Sequence, residues 1–491
     1  MTTEIAELAK KSTISFIAKI IKYIVTVVST IVIGKLLGAK IYGQYVYIVS
    51  VLSFFVTLAK MGFDSGVVSF LARNTLTQEQ KKSLLTYAVL VVAIFSTCLV
   101  TIGYLNINFI SNKILNNVQY KYLLILMIPT IIINSVRSLF RNSLRALRRV
   151  HEILFIGDVA TPIFKILIVA FVVLCFKLKS PVVLVIGQYL STIALLIYYI
   201  FRVKKLGYLG NIDWKLDNRQ ILLFSIPLLL AGITNTLTAN IDKYMLGFLL
   251  GAKEVGIYRS AVEYAQIPNL ALMSVNLFFG PLIANLYYDN RKTELAKMYH
   301  LATKAITVFS FFVFGIIVLF STEIMGLAGK EFREGGTVLI LVALGQVFNA
   351  SIGSVALINT MTGHPKLTFI ASFTSLISNI ILNSVMIKSF GMNGAAIATM
   401  VSIIITNLVS FIFMYKNLKI QPYDKSSAKL LVTFLIATLG VYALQHFTSL
   451  HSILLFLSIY VIIFLVLLAF FVITKKERNF LQNLVKQTIL R

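Results

Sequence analysis

Fourteen apolar runs succeed one another along the 491-residue chain, each about as long as a membrane-crossing helix. They lie near residues 14–34, 42–63, 83–105, 121–143, 153–176, 181–201, 220–241, 256–285, 301–321, 335–360, 367–388, 393–415, 428–447 and 452–473. A helix needs about 20 mostly apolar residues to cross about 30 Å of hydrocarbon, so every run is a candidate span. The eighth is longer than one crossing, which predicts a tilted or protruding helix. Composition excludes a soluble globular protein: 58% of residues are hydrophobic and 13% charged, with mean hydropathy +0.88, where an ordinary soluble domain carries about 25% charged residues.

One stretch occurs twice. Gly34-Lys35-Leu36-Leu37-Gly38-Ala39-Lys40, followed by Gly43 and Tyr45, returns 213 residues later as Gly247-Phe248-Leu249-Leu250-Gly251-Ala252-Lys253, followed by Gly256 and Tyr258. Eight of these nine positions are identical. A repeat this far apart marks two large homologous halves, and each copy is expected to join two helical runs through a short glycine-containing turn. An even number of spans separates the copies, so both halves enter the membrane in the same orientation, related by an axis along the membrane normal. The fold class expected is therefore an all-α polytopic membrane protein of about 14 transmembrane helices. Residues 1–205 form an N-terminal six-helix bundle, 206–219 a cytoplasmic linker holding Trp214, 220–415 a C-terminal six-helix bundle, and 416–491 two additional helices and a cytoplasmic tail.

The net charge of +27 invites a nucleic-acid reading that its distribution refutes. With the N-terminus cytoplasmic, 28 of the 45 basic residues fall in cytoplasmic segments, 10 on the opposite face and 7 inside spans. This asymmetry follows the positive-inside rule, places both termini in the cytoplasm and leaves no role for nucleic acid as a partner. Residues 1–15 carry Glu4, Glu7, Lys10 and Lys11 and lack a small-residue cleavage site, so no signal peptide is expected. Cys98 and Cys175 lie in apolar spans and are expected to be inert packing residues.

Nothing in the sequence supports catalysis. The five histidines fall in or beside loops at spacings that suit no metal, and no phosphate-cradling glycine loop with a following lysine occurs. The expectation is a protein that is not an enzyme, without metal or cofactor.

The pattern of Gly38, Gly43-Gln44-Tyr45 and Gly62-Phe63-Asp64, with Asp242-Lys243-Tyr244-Met245-Leu246-Gly247 through Gly256-Ile257-Tyr258, resembles the polysaccharide transporter branch of the multidrug/oligosaccharidyl-lipid/polysaccharide exporter superfamily. The resemblance covers both halves. It implies a flippase of the cytoplasmic membrane that moves an undecaprenyl- or dolichyl-type pyrophosphate-linked oligosaccharide to the outer leaflet by alternating access around a cationic cavity. Its partners would be that lipid-linked oligosaccharide, the bilayer and polysaccharide assembly proteins.

Ionisable side chains at membrane depth are costly unless paired or wetted, so they usually face a bundle interior or a cavity. The basic candidates for such a cavity are Arg259, Lys22, Lys19, Arg137, Lys165 and Lys243, with Lys60 a seventh cation inside a span. Asp64, Asp158, Asp242 and Glu263 stand against them as coupling-ion or pairing residues. Arg259 leads because it follows the second motif copy where the first has the apolar Val46. Its other role is a pair with Glu263, and Lys60 with Asp64 is likewise four residues apart. Lys19 and Lys22 share a helix face and either contact a pyrophosphate or snorkel to the surface. Asp158 and Lys165 share a face of the fifth span with Pro162 between them. Asp242 and Lys243 end the seventh span and could only cap its hairpin. Arg141, Arg145, Arg148 and Arg149 read as an anchor to anionic headgroups. The second reading, an H⁺- or Na⁺-coupled cation antiporter of the same superfamily, requires a net acidic cavity. The third, a scaffold without transport, gives no reason for so many intramembrane charges.

Overall fold

The computed structural model describes residues 2–73, 75–213, 219–423, 425–447 and 452–472. Trp214 in the linker, His451 and the basic tail from residue 473 lie outside the described residues. Among the described residues every regular element is helical, as a lipid-embedded backbone requires if its polar groups are to be satisfied within each segment.

Among the described residues, twelve helices are long and apolar enough to cross a membrane. Two of them, Ile17–Lys60 with 44 residues and Pro365–Leu418 with 54, are long enough for two crossings each and break at one glycine. Gly38 (φ 79°, ψ 169°) breaks the first and Gly391 (φ 57°, ψ −134°) the second, so the twelve helices supply fourteen crossings. This multi-pass architecture is the expected one.

The motif makes the short glycine-containing turn expected of it: the helix breaks at Gly38 in the first copy, and at Leu250 and Gly251 (φ 128°) between Arg219–Leu249 and Ala252–Tyr264 in the second. Glycine adopts positive φ at little steric cost, so one residue suffices to redirect the chain. The eighth span is not one tilted rod. Its 37 residues, Ala252–Tyr288, are interrupted by a 3-10 turn at Ile267–Asn269, where Pro268 removes a helical hydrogen-bond donor.

The repeat extends to the turns. Asn116 (φ 52°) and Gly329 (φ 138°) lie 213 residues apart, as Gly38 and Gly251 do. Arg148 with Gly363, Lys177 with Gly391, and Gly207 with Lys419 are positive-φ pairs within two residues of that offset.

By contact the chain groups into two compact units. The first comprises Met1–Ser260, Gly326–Glu334 and Leu376–Ala398. In it the two motif copies touch through backbone: a methyl group on Gly43 would lie 1.7 Å from Ala252 O, and one on Gly256 would lie 2.4 Å from Ala39 O. The contact is reciprocal, as a twofold relation requires. Lipid gives helices no hydrophobic reason to associate, so close approach at small residues supplies the packing. The break at Gly38 is capped by Glu331, whose Oε2 accepts the Ala39 N–H at 3.0 Å.

The second unit comprises Ala261–Met325, Gly335–Ser375 and Thr399–Arg491. Its last two helices pack on Lys292–Gly326, with Phe434 stacked on Phe311 at 4.9 Å and Tyr460 seated against Gly315. Tyr299 donates to Ile352 O at 2.6 Å, and Asn359 to Ser410 O at 2.9 Å.

Large apolar side chains such as Leu167, Phe171, Leu174 and Phe176 are exposed along one helix, the surface expected of a lipid-facing span. Cys98 and Cys175 are free and exposed on the surface of their spans.

Candidate cationic cavity

The polar stripe of the Thr130–Ala146 helix builds this site. Asn134, Arg137, Arg141 and Arg145 recur at three- and four-residue spacing and share one face, while Ile131, Ser135, Leu139 and Leu144 are buried on another. At Asn134 and Arg137 this stripe meets a cavity of about 350 Å³ that Ser53, Lys60, Thr130 and Gln188 also line. A second cavity of about 140 Å³ is lined by Thr57, Lys60, Asp64 and Asn235. Lys60 borders both.

Arg137 lines the first cavity and, among the described residues, has no carboxylate within ion-pair distance. Its Nη2 donates to Asn134 Oδ1 at 3.1 Å, and its Nε is buried with no hydrogen-bond partner. A guanidinium presents five donors in a fixed fork suited to phosphate oxygens, so an arginine at the wall of this cavity is a candidate anion contact.

Lys60 is paired as the sequence suggested, Nζ to Asp64 Oδ2 at 2.8 Å, but not along a helix. Met61 (φ 49°) and Gly62 (φ 76°) turn the chain between them, and Gly62 fits because a methyl there would lie 2.1 Å from Ser225 O. Ser138 Oγ also donates to Asp64 Oδ2 at 3.3 Å.

The shared face of Asp158 and Lys165 does not bring them together. Ile153–Ala160 is π-helical, and its wider turn shifts the register before the α-helix resumes at Thr161. Asp158 pairs instead with Arg141 (Nη2 to Oδ1, 2.9 Å) and Lys22 (Nζ to Oδ2, 3.4 Å). Arg141 therefore leaves the headgroup anchor proposed for it. Lys22 is half-exposed and reaches a partner, and Lys19 is partly buried one turn away. Lys165 Nζ donates to Tyr45 Oη at 2.7 Å and Gln188 Oε1 at 3.0 Å, and it lies 4.4 Å from the Tyr45 ring centroid. It ties three helices together behind the cavity wall.

Asp242 and Lys243 lie inside the Arg219–Leu249 helix and do not cap its end. Asp242 accepts from Tyr258 Oη at 2.9 Å and Asn383 Nδ2 at 2.7 Å, and Asn383 also donates to Asn379 Oδ1. Lys243 is buried and donates to Asn240 Oδ1 at 2.6 Å. Arg259 is partly buried on Ala252–Tyr264, Glu263 is buried on the same helix, and neither lines these two cavities.

Counting charges missed the polar neutral residues of the site. Asn134, Ser138 and Gln188 bond to or border the cavity, and the four-residue spacing of Asn134 and Ser138, flanking Arg137, was the available signal. Among the described residues no cluster of three or more metal-ligating His, Cys, Asp or Glu occurs.

Comparisons with known proteins bear on the family and the fold. The family profile described as "Polysaccharide biosynthesis protein" matches residues 8–287, and a profile described as MatE matches 227–385. The capsular polysaccharide biosynthesis protein CapF of Staphylococcus aureus is 25% identical over 220 residues, 44% of this chain and 53% of that protein. The probable low-salt glycan biosynthesis flippase Agl15 of Haloferax volcanii is 28% identical over 187 residues, 37% of this chain and 39% of that protein. The chain thus spans about half the length of the first relative and less of the second. Among solved structures, the lipid II flippase MurJ in an inward closed conformation aligns with TM-score 0.75 at 18% identity, covering 92% of this chain and 98% of that one, a likeness of fold.

Proposed function

We infer that this chain, which belongs to the polysaccharide biosynthesis protein family, is a flippase that carries a polyprenyl-pyrophosphate-linked oligosaccharide across the cytoplasmic membrane. The observation that carries the reading is Arg137, a cation bonded to an amide and to no carboxylate, at a cavity that Lys60, Ser53, Thr130, Asn134, Ser138 and Gln188 line together with the apolar Val49, Leu52, Val56 and Met127. A pyrophosphate and a glycan must leave water to cross hydrocarbon. Arg137 and Lys60 would hold the phosphates, Ser53, Thr130, Asn134 and Gln188 would replace water around sugar hydroxyls, and the polyprenyl chain would stay in lipid. The relatives named for capsular polysaccharide biosynthesis and glycan flipping support this substrate class.

Transport by alternating access requires two bodies that rock. The repeated motif and the paired positive-φ turns support two parallel halves, residues 1–205 and 220–415, joined by the 206–219 linker and followed by two helices from 416. Both termini would be cytoplasmic on the basic-residue asymmetry, and polysaccharide assembly proteins would supply and consume the substrate. Arg259, Lys19 and Lys22 remain proposed contacts along the path. Asp242, among Asn379, Asn383 and Tyr258, is the acidic residue best provided with oxygen donors for a coupling cation. The cation-antiporter reading is favoured by the MatE match, and the cavity's two cations, Lys60 and Arg137, oppose it.

In cells, Arg137→Ala should abolish surface polysaccharide while lipid-linked oligosaccharide accumulates on the cytoplasmic side. Normal surface polysaccharide in that variant, at wild-type protein level, would overturn the reading.

A further inference from the structure

Asp158 is held in an unusual way. Arg141 meets both of its oxygens with one nitrogen, Nη2, at 2.9 and 3.2 Å, and among the described residues Nε and Nη1 have no hydrogen-bond partner. The stronger arrangement, two parallel N–H bonds from the guanidinium fork, is not used. Lys22 adds a 3.4 Å contact to the same carboxylate. The carboxyl is 14% exposed, whereas Arg141 and Lys22 are 41% and 47% exposed, so the cations are accessible and the anion between them is mostly covered.

Two further features converge here. Asp158 lies in the π-helical turn Ile153–Ala160, a conformation rare in helices and frequent at functional sites. Beside it Tyr199 is fully buried, its hydroxyl has no hydrogen-bond partner, and it interacts electrostatically with Arg137, Arg141 and Asp158. It fits there because Gly157 carries no side chain: a methyl would lie 2.2 Å from the Tyr199 hydroxyl.

We propose that Lys22 and Arg141 form a phosphate-binding site in which Asp158 is an internal anion that the incoming phosphate displaces. An arriving pyrophosphate would take the unused donors of Arg141 and the Lys22 ammonium. Arg137, one turn along the same face, would receive the second phosphate. When the anion leaves, Asp158 returns, so two cations are never left uncompensated at membrane depth. Asp158 thereby weakens binding and speeds release. It acts through Lys22 and Arg141 and is a positioning residue. The proposal rests on the flippase reading only for the source of the anion.

The test is calorimetric titration of the full-length protein with inorganic pyrophosphate at low salt. Asp158→Asn should bind at least about tenfold more tightly because a competing like charge is gone. Adding Arg141→Gln should remove the gain. A folded Asp158→Asn protein with unchanged or weaker affinity overturns the proposal, as does a gain that survives Arg141→Gln. Should Asp158→Asn not fold, Arg141→Gln alone decides: about a tenfold loss of affinity supports the site, and unchanged affinity overturns it. Nanodiscs separate the sources. Equal pyrophosphate affinity in phosphatidylcholine and in phosphatidylglycerol assigns the site to the pyrophosphate, whereas loss of binding in phosphatidylglycerol alone overturns that in favour of a lipid headgroup. These readouts require no transport, so they fail independently of the Arg137→Ala phenotype.

Discussion

Gly43 and Gly256, the same position in the two copies of one motif, lie in backbone contact: a Cβ on Gly43 would sit 2.9 Å from the amide nitrogen of Gly256. Neither residue can gain an atom without moving a helix. Gly43→Ala and Gly256→Ala are each expected to destabilise by about 1–3 kcal/mol or more, the usual cost of overpacking a well-packed contact. Thermal melting in detergent checks this, and melting within a degree of wild type for either variant would mean that the helices separate readily.

The same contact sets a test of motion. Cysteines replacing Ala39 and Ala252 are expected to cross-link, and the link should stop transport if the two halves part there during the cycle. Full activity with the link formed would place the moving surfaces elsewhere.

Lys165, by contrast, is expected to act on structure. It bonds to Tyr45 and Gln188, so Lys165→Met and Tyr45→Phe should both lower thermal stability, and the double variant should lose less than the sum, because the two share one network. Additive losses would show that the residues act separately.

Orientation is checked by labelling. Cysteine at Ser180, the N-cap of Pro181–Lys205, should react with an impermeant thiol reagent from outside, whereas cysteines at Gln78 and Thr293 should not. Because Cys98 and Cys175 are exposed on the helices, the background should lack both. The reverse pattern would invert the proposed topology.

Much of the fold was legible because the bilayer restricts the choices. Apolar length fixed the spans, and the repeated glycines fixed where two of them break. Conformation within helices was not legible. A π-helical turn at Ile153–Ala160 separates Asp158 from Lys165, and a left-handed turn at Met61 and Gly62 lies inside the Lys60–Asp64 spacing. The first defeats i, i+7 reasoning, which assumes an unbroken α-helix, whereas the Lys60–Asp64 pair forms across its turn at 2.8 Å. Arg259 stood out in the sequence by its asymmetry between the halves. Arg137 stands out only in three dimensions, because what distinguishes it is a place on the cavity wall with an amide, Asn134, as its partner.

The central claim is that Arg137 holds the pyrophosphate of a lipid-linked oligosaccharide during flipping, and reconstitution tests it directly. Proteoliposomes carrying the wild-type chain and a fluorescent polyprenyl-pyrophosphate oligosaccharide should move the lipid between leaflets, read as the fraction accessible to a membrane-impermeant quencher. Arg137→Ala, at equal incorporation, should be slower by about a hundredfold, and Arg137→Lys intermediate, since a charge-assisted contact of about 1.5–3 kcal/mol and its bidentate geometry are lost in turn. Equal rates for wild type and Arg137→Ala, or equal transport of a polyprenyl glycan without phosphate, would contradict the account.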